Sequence, residues 1–125
     1  MNHLPIWMPL PEEHDYVAAR DFLQLVLPGI HAEKLANDLR SAPLVQYKAK
    51  DILRASRLPH LPADNVHVLH DIKKVENKVE LSPILLIRGD ATRGQEMLIA
   101  DGYHRACAVL HLDENIEVPC KIVGL

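Results

Sequence analysis

Leu98-Ile99-Ala100-Asp101-Gly102-Tyr103-His104-Arg105-Ala106-Cys107-Ala108 runs from an apolar stretch through an Asp-Gly turn into an alanine-rich, helix-prone segment. Strand, turn and helix are thus legible in one short piece of chain, and the turn gathers the polar groups. Gly102 lacks a Cβ, so it can take a positive φ and let a ligand approach the main chain. The first amides of the helix that follows are free donors. Arg105 can form a two-pronged contact with phosphate, and His104 exchanges a proton near neutral pH. Asp101 can cap the helix, orient His104 or hold a metal that bridges phosphates. Together these features describe an anion site, with phosphate the expected ligand. The same spacing also suits a plain strand-to-helix turn with a capping Asp and a solvent-facing His-Arg pair.

Working outward, Met97 to Ala100 reads as the returning strand of a hairpin whose first strand is Ile84-Leu85-Leu86-Ile87. That first strand is continuously apolar with proline only at its entry, the pattern of a strand buried on both faces. Gly89-Asp90 and Arg93-Gly94 mark the loop between them. A helix is expected from about His104 to Leu112 and a closing strand from Val118 to Val123. Upstream, Asp64 or Asn65 can cap a helix that runs to about Glu76 and turns Val68, Leu69, Ile72 and Val75 toward a core. Leu58-Pro59-His60-Leu61-Pro62 must be a loop. Lys50 to Arg57 suits a helical turn or two, and Leu44 to Tyr47 a short strand.

Nearer the start, His31 to Leu39 reads as a short helix. His14 to Leu27 has apolar positions at Val17, Ala18, Phe22, Leu25 and Val26, a helical period ended by Pro28-Gly29. Residues 1–11 hold three prolines and read as an extended arm, with Trp7 anchoring it to the core. The resulting fold class is α+β, a small mixed β-sheet covered by helices. Residues 1–44 form an N-terminal arm and helical extension, residues 45–125 the main domain, and the two make one compact unit.

The chain of 125 residues is long enough for one domain with a real core. Its 48% hydrophobic and 25% charged residues are those of an ordinary globular protein. No apolar run approaches a membrane span, and the N-terminus lacks the pattern of a signal peptide, so a cytoplasmic location is expected. Two cysteines, Cys107 and Cys120, exclude a disulfide framework and a cysteine-rich zinc site, and both read as small buried hydrophobes.

The net charge of −3 is unevenly spread, with six basic and three acidic side chains in residues 46–75. That excess is too small for nonspecific nucleic-acid binding. Lys50 and Arg54 within it are candidates to complete a small-anion pocket, against the alternative of a solvated helix face.

His67-x-x-His70-Asp71 places two imidazoles and a carboxylate on one side of a helix. It is not a metalloenzyme signature, and such a trio is more often the polar face of an amphipathic helix, so no metal site is assigned. His60 lies in a loop without an evident role. Glu12-Glu13 and Asp113-Glu114 read as surface or helix-end charge without an obvious partner.

Three blocks taken in order carry a resemblance: Leu81-Ser82-Pro83-Ile84, then Ile99-Ala100-Asp101-Gly102-Tyr103-His104-Arg105, then Val118-Pro119-Cys120-Lys121-Ile122-Val123. Over about residues 45–124 the chain resembles the ParB/sulfiredoxin superfamily. The resemblance implies an "x-x-P-I" strand, a hairpin, a Gly-containing turn with Arg opening a helix, and a final "I/V-P-x-x-V" strand. In sulfiredoxins the turn reads Gly-Cys-His-Arg and its cysteine is the catalytic thiol. Tyr103 stands there in this chain, so sulfinic-acid reduction is not expected. Cys107, about one turn further along the helix, does not replace that thiol. In ParB proteins the turn reads Gly-Glu-Arg-Arg and contacts nucleotide phosphates. Gly102 and Arg105 match it, while Tyr103 and His104 depart from it, which puts hydrolysis in doubt. ParB partition proteins also carry a helix-turn-helix domain after this one. The sequence ends at Leu125 without such a reader, so partition itself is not expected.

The resemblance and the turn together imply a domain that binds a nucleotide or another phosphorylated small molecule, with nucleotide hydrolysis as a possible activity. The expected ligand-binding residues are Gly102, Tyr103, His104, Arg105, Lys50 and Arg54. His104 and Asp101 are the candidate catalytic pair, and Mg²⁺ carried with the nucleotide is the expected cofactor. A metal-dependent nuclease or phosphodiesterase and a non-catalytic interaction module are the alternatives. Nucleic acid as a partner has weak support, a membrane none, and a homodimer stays open.

Overall fold

Every residue of Ile84-Leu85-Leu86-Ile87 is buried, and alternate side chains enter two different cores. This is β2, and the computed structural model, which describes residues 4–125, arranges the rest of the molecule around it. Strands β1 (Val45–Lys48), β2 (Ile84–Ile87), β3 (Leu98–Asp101) and β4 (Glu117–Val123) form one sheet in the order β1-β4-β2-β3. β2 runs antiparallel to β3 and parallel to β4, while β1 is antiparallel to β4. Five helices cover this mixed sheet, so the α+β expectation holds. They are α1 (Glu13–Val26), α2 (Gly29–Ser41), α3 (Ala49–Ser56), α4 (Val66–Glu76) and α5 (Tyr103–Leu112). No helix among the described residues is long and apolar enough to cross a membrane.

The alternation of strand side chains sorts the helices into two layers. Ile84, Leu86 and Ile99 pack with Ile52 and Leu53 of α3, Val68 and Val75 of α4, and Ala106 and Val109 of α5. Leu85, Ile87 and Ala100 face the other way, onto Leu23 of α1 and Leu35 and Leu39 of α2. The N-terminal helices are therefore one of the two walls over the sheet. Before them, Trp7 bridges to Leu81 and packs against the first core, as expected of an anchoring residue. The first three residues of the expected arm lie outside the described residues.

Sequence and structure part over which face of α1 is buried. The apolar positions Val17, Phe22, Leu25 and Val26 are exposed, and the helix buries Asp15, Tyr16, Ala19 and Leu23 instead. Tyr16 is covered by two cations, with the Arg40 guanidinium carbon 4.7 Å and the Lys121 ammonium 5.5 Å from its ring centre. Lys121, itself buried, donates to the Arg40 carbonyl at 2.9 Å, in the last turn of α2, where the helix dipole favours a cation. In α4, Val68 and Val75 are buried, whereas Leu69 is exposed. Glu13 does have a partner: Arg40 grips its carboxylate through two hydrogen bonds of 2.6 and 2.7 Å and holds its pKa below the usual range.

Candidate functional site

The turn after β3 is built by an irregularity in the sheet. Leu85 lies opposite Asp101 but Leu86 lies opposite Ile99, so Ala100 is one residue too many for its partner strand. Such bulges re-aim the side chains beside them, and Asp101 is the next residue. Gly102 then takes φ +112°, the positive value expected from its lack of a Cβ. Its open flank is filled by the protein itself: a Cβ there would lie 2.7 Å from Ile84 Cγ1 and 2.8 Å from Arg105 Nη2. Gly102 is the residue before α5, and no side chain caps that helix. Of the roles open to Asp101, helix capping is therefore excluded.

Asp101 holds Arg105 instead. Arg105 Nη2 donates to Asp101 Oδ2 at 2.6 Å, Nη1 donates to the Ser82 hydroxyl, and Nη1 lies 3.7 Å from Asp15 Oδ1. The Arg105 side chain is only 13% exposed. A guanidinium so engaged has little left to offer a phosphate, which corrects the expectation of a free two-pronged contact. Asp15 is one of the residues the sequence pattern did not reveal. It is buried on α1, where its Oδ2 also accepts from the Glu12 amide at 2.9 Å.

One buried and one half-buried carboxylate around one arginine set the electrostatics. Burial raises the Asp101 pKa to about 6, and the Asp15 carboxyl beside it pushes the same way against the lowering pull of Arg105. Burial also raises Asp71 above the usual carboxylate range, with Lys74 and Arg105 opposing. His104 moves the other way: burial and the neighbouring His67 hold its pKa below that of a free imidazole.

The two motifs that are separate in sequence meet here. His67 of α4 stacks obliquely on His104 of α5, with ring centres 4.8 Å apart. Asn65 makes this meeting possible by capping α4, its Oδ1 accepting from the His67 and Val68 amides at 3.0 and 3.2 Å. His67, His70 and Asp71 line one cleft of about 310 Å³ together with Asp101, Gly102 and His104. Tyr103 and Arg105 line it too, as do Glu12, His14 and Asp15 at the start of α1. Lys74 and Glu80 complete its charged lining. Tyr103 is also a fastening, since its hydroxyl donates to the Pro59 carbonyl at 2.5 Å. His111, at 2.6 Å from the Leu61 carbonyl, fixes the same loop to α5.

Lys50 and Arg54 do not join this cleft. Arg54 is exposed, pairs with Asp51 at 3.3 Å and lines a second cavity, while Lys50 lines neither. Cys107 and Cys120 are free and buried in the core, and burial pushes the Cys120 thiol up to about 12. His60 is exposed outside the cleft.

Among the described residues, Glu12, His14 and Asp15 are the one trio of metal-capable side chains whose ligand atoms lie within 4.8 Å of one another. Two carboxylates and an imidazole form a donor set that suits a divalent cation. The ligand atoms of His67, His70 and Asp71 do not lie that close to one another. Comparison of the chain with protein-family models, with curated proteins and with solved structures finds no match.

Proposed function

We propose that the α5 cleft binds a phosphorylated small molecule, a nucleotide foremost, in company with a divalent cation. The observation that carries this reading is the convergence on one cleft of the uncapped α5 amino end with the His67–His104 imidazole pair. Free amides and imidazoles are donors suited to phosphate oxygens. The cleft as a whole is acidic, however. Glu12, Asp15, Asp71, Glu80 and Asp101 face only Lys74 and Arg105 as permanent cations. A bare polyanion is repelled by such a lining, whereas its Mg²⁺ complex is not.

Glu12 and Asp15 are the oxygen donors that would hold Mg²⁺, with His14 beside them. When bound, the cation neutralises charge between carboxylates and phosphate. The resemblance to the ParB/sulfiredoxin superfamily supports the same ligand class. His104, whose pKa is lowered, is the base of the proposed site, and Asp101, ionised at neutral pH with a pKa of about 6, orients the turn through Arg105. Asp15 and Ser82 hold Arg105, which in turn positions Asp101.

Calorimetric titration with CTP, ATP and GTP, with and without Mg²⁺, tests the reading. Heat is expected for at least one nucleotide, only with Mg²⁺, and reduced at least tenfold in affinity by His104→Ala. Absence of heat at millimolar ligand for all three removes the proposal. Release of inorganic phosphate in the same mixtures, lost in His104→Ala, would extend binding to hydrolysis.

A further inference from the structure

At the opposite end of the β2–β3 hairpin lies a larger cavity, about 530 Å³, with a different character. Its floor is the partly buried edge of the first core: Ile122 of β4, beside its fully buried parallel partner Leu86 of β2, and Met97 just before β3. Ile52 of α3 closes one wall, and Gly89 stands at the entry to the hairpin loop. Gly89 is needed for that loop to turn so tightly, because a Cβ on it would lie 2.5 Å from the Met97 amide nitrogen. Most of the lining surface is apolar.

Three arginines stand around this floor: Arg54 in α3, Arg57 just after α3, and Arg88 just after β2. Arg54 is held by Asp51, but neither Arg57 nor Arg88 has an ion-pair partner among the described residues. Glu96, exposed in the same lining, offsets one of the two. An excess of one positive charge therefore remains at the mouth of an apolar cavity. The volume is that of a small-molecule site, and an apolar lining with a few placed polar groups is the usual make-up of one. Guanidinium forks with no internal partner are matched to the oxygens of a carboxylate, sulfonate or phosphate.

We propose that this cavity binds a small amphipathic organic anion, its apolar body on Ile122, Met97 and Tyr47 and its anionic head between Arg57 and Arg88. The site is separate from the α5 cleft and shares none of its lining residues. A ligand with a long polar chain does not fit the apolar floor, and a neutral apolar one leaves both arginines unanswered.

The test is fluorescence titration of the full chain with 1-anilinonaphthalene-8-sulfonate, an aromatic body carrying one sulfonate. Saturable binding at one site per chain is expected, with displacement by octanoate at concentrations at least tenfold below those needed of octanol. Combined Arg57→Gln and Arg88→Gln substitutions should weaken the dye at least tenfold and erase the preference for octanoate. Ala55→Trp, at an exposed position of α3 that lines the cavity, should block the dye sterically. Each variant is compared after its urea unfolding is shown to be as cooperative as that of the parent, because dyes of this kind also bind loosened chains. Unchanged dye affinity in both variants, equal displacement by octanoate and octanol, or no saturation overturns the proposal. Displacement of the dye by Mg²⁺-nucleotide would also overturn it, by showing one shared site. Failure of nucleotide to bind at all leaves the dye result standing and refutes only the reading of the α5 cleft.

Discussion

Arg105 and Arg88 stand at opposite ends of one hairpin and are used in opposite ways. Arg105 is folded inward, shared between Ser82, Asp101 and Asp15, so its charge is spent on holding three segments together. Arg88 follows β2 into solvent, and its side chain has no ion-pair partner among the described residues. The first arrangement makes Arg105 a part of the fold whose loss is felt in stability and in the titration of its neighbours. The second leaves a charge that contributes little to stability and is free to answer a ligand. Burial and pairing, more than residue type, separate an arginine that builds a site from one that recognises a ligand.

Arg105→Met breaks the comparison most severely. It leaves the buried Asp15 and the half-buried Asp101 side by side without their cation, and removing one partner from such a group costs about 3 kcal/mol. Urea unfolding at pH 7.5 should show that loss. At pH 5 the loss should shrink, because a proton on Asp101 removes one of the two charges. A cost below about 1 kcal/mol at pH 7.5 would place Arg105 with the solvent-facing arginines.

Next in size is the pH dependence that Asp101 itself imposes. Its pKa is raised by folding, so the folded state binds a proton that the unfolded chain has already released. Stability from this source is present in full below about pH 4 and is lost as pH rises to about 6. The drop across that window is about 2–3 kcal/mol for a shift of this size. In Asp101→Asn that part of the slope should vanish, as read from urea midpoints between pH 3.5 and 7. An unaltered slope would mean that another carboxyl carries the proton.

Tyr103 sharpens the comparison within the cleft. It was expected to touch the ligand, yet its hydroxyl is committed to the Pro59 carbonyl. Tyr103→Phe should cost about 1 kcal/mol, the worth of one hydrogen bond, and leave nucleotide affinity within twofold. A tenfold loss of affinity with unchanged stability would reverse the assignment.

How far the chain declares itself depends on the range of the interaction that decides each feature. The order of strands and helices follows from local signals: the apolar run of β2, the Pro28-Gly29 break, the prolines of the 58–62 loop, and the Asn65 cap. Their boundaries are displaced by only a residue or two, as α1 shows by starting at Glu13 instead of His14. The face of α1 is another matter. Its period points to Val17 and Phe22, but the helix turns Asp15 inward to meet Arg105 and Tyr16 inward beneath Arg40 and Lys121. These partners are tens of residues away, and no pattern within the helix records them.

The candidate site is split in the same manner. Asp101, Gly102 and His104 announce themselves as one turn, and His67, His70 and Asp71 as one helix face. Their convergence depends on α4 packing on α5, which neither motif encodes alone. Asp15 was the least visible member. The only signal that could have found it is an acidic residue set among apolar ones on the helix that has to cover β3.

Arg57 gives the smallest expected effect and the one that tests the outward-facing arginines most directly. It sits at φ 59° at the end of α3, in the left-handed region where glycine is favoured. Lys78 has the same conformation after α4, so the geometry by itself marks a helix end. Arg57→Gly relieves about 1–2 kcal/mol of steric cost and gives back about 0.5–1 kcal/mol through the freer unfolded chain. The net expectation is a gain of about 0.5 kcal/mol in urea unfolding, where Arg105→Met costs several. If the side chain serves recognition, the same substitution should weaken the dye while it steadies the fold. Loss of stability in Arg57→Gly would show instead that the guanidinium has a structural partner, and the contrast between the two ends of the hairpin would fail.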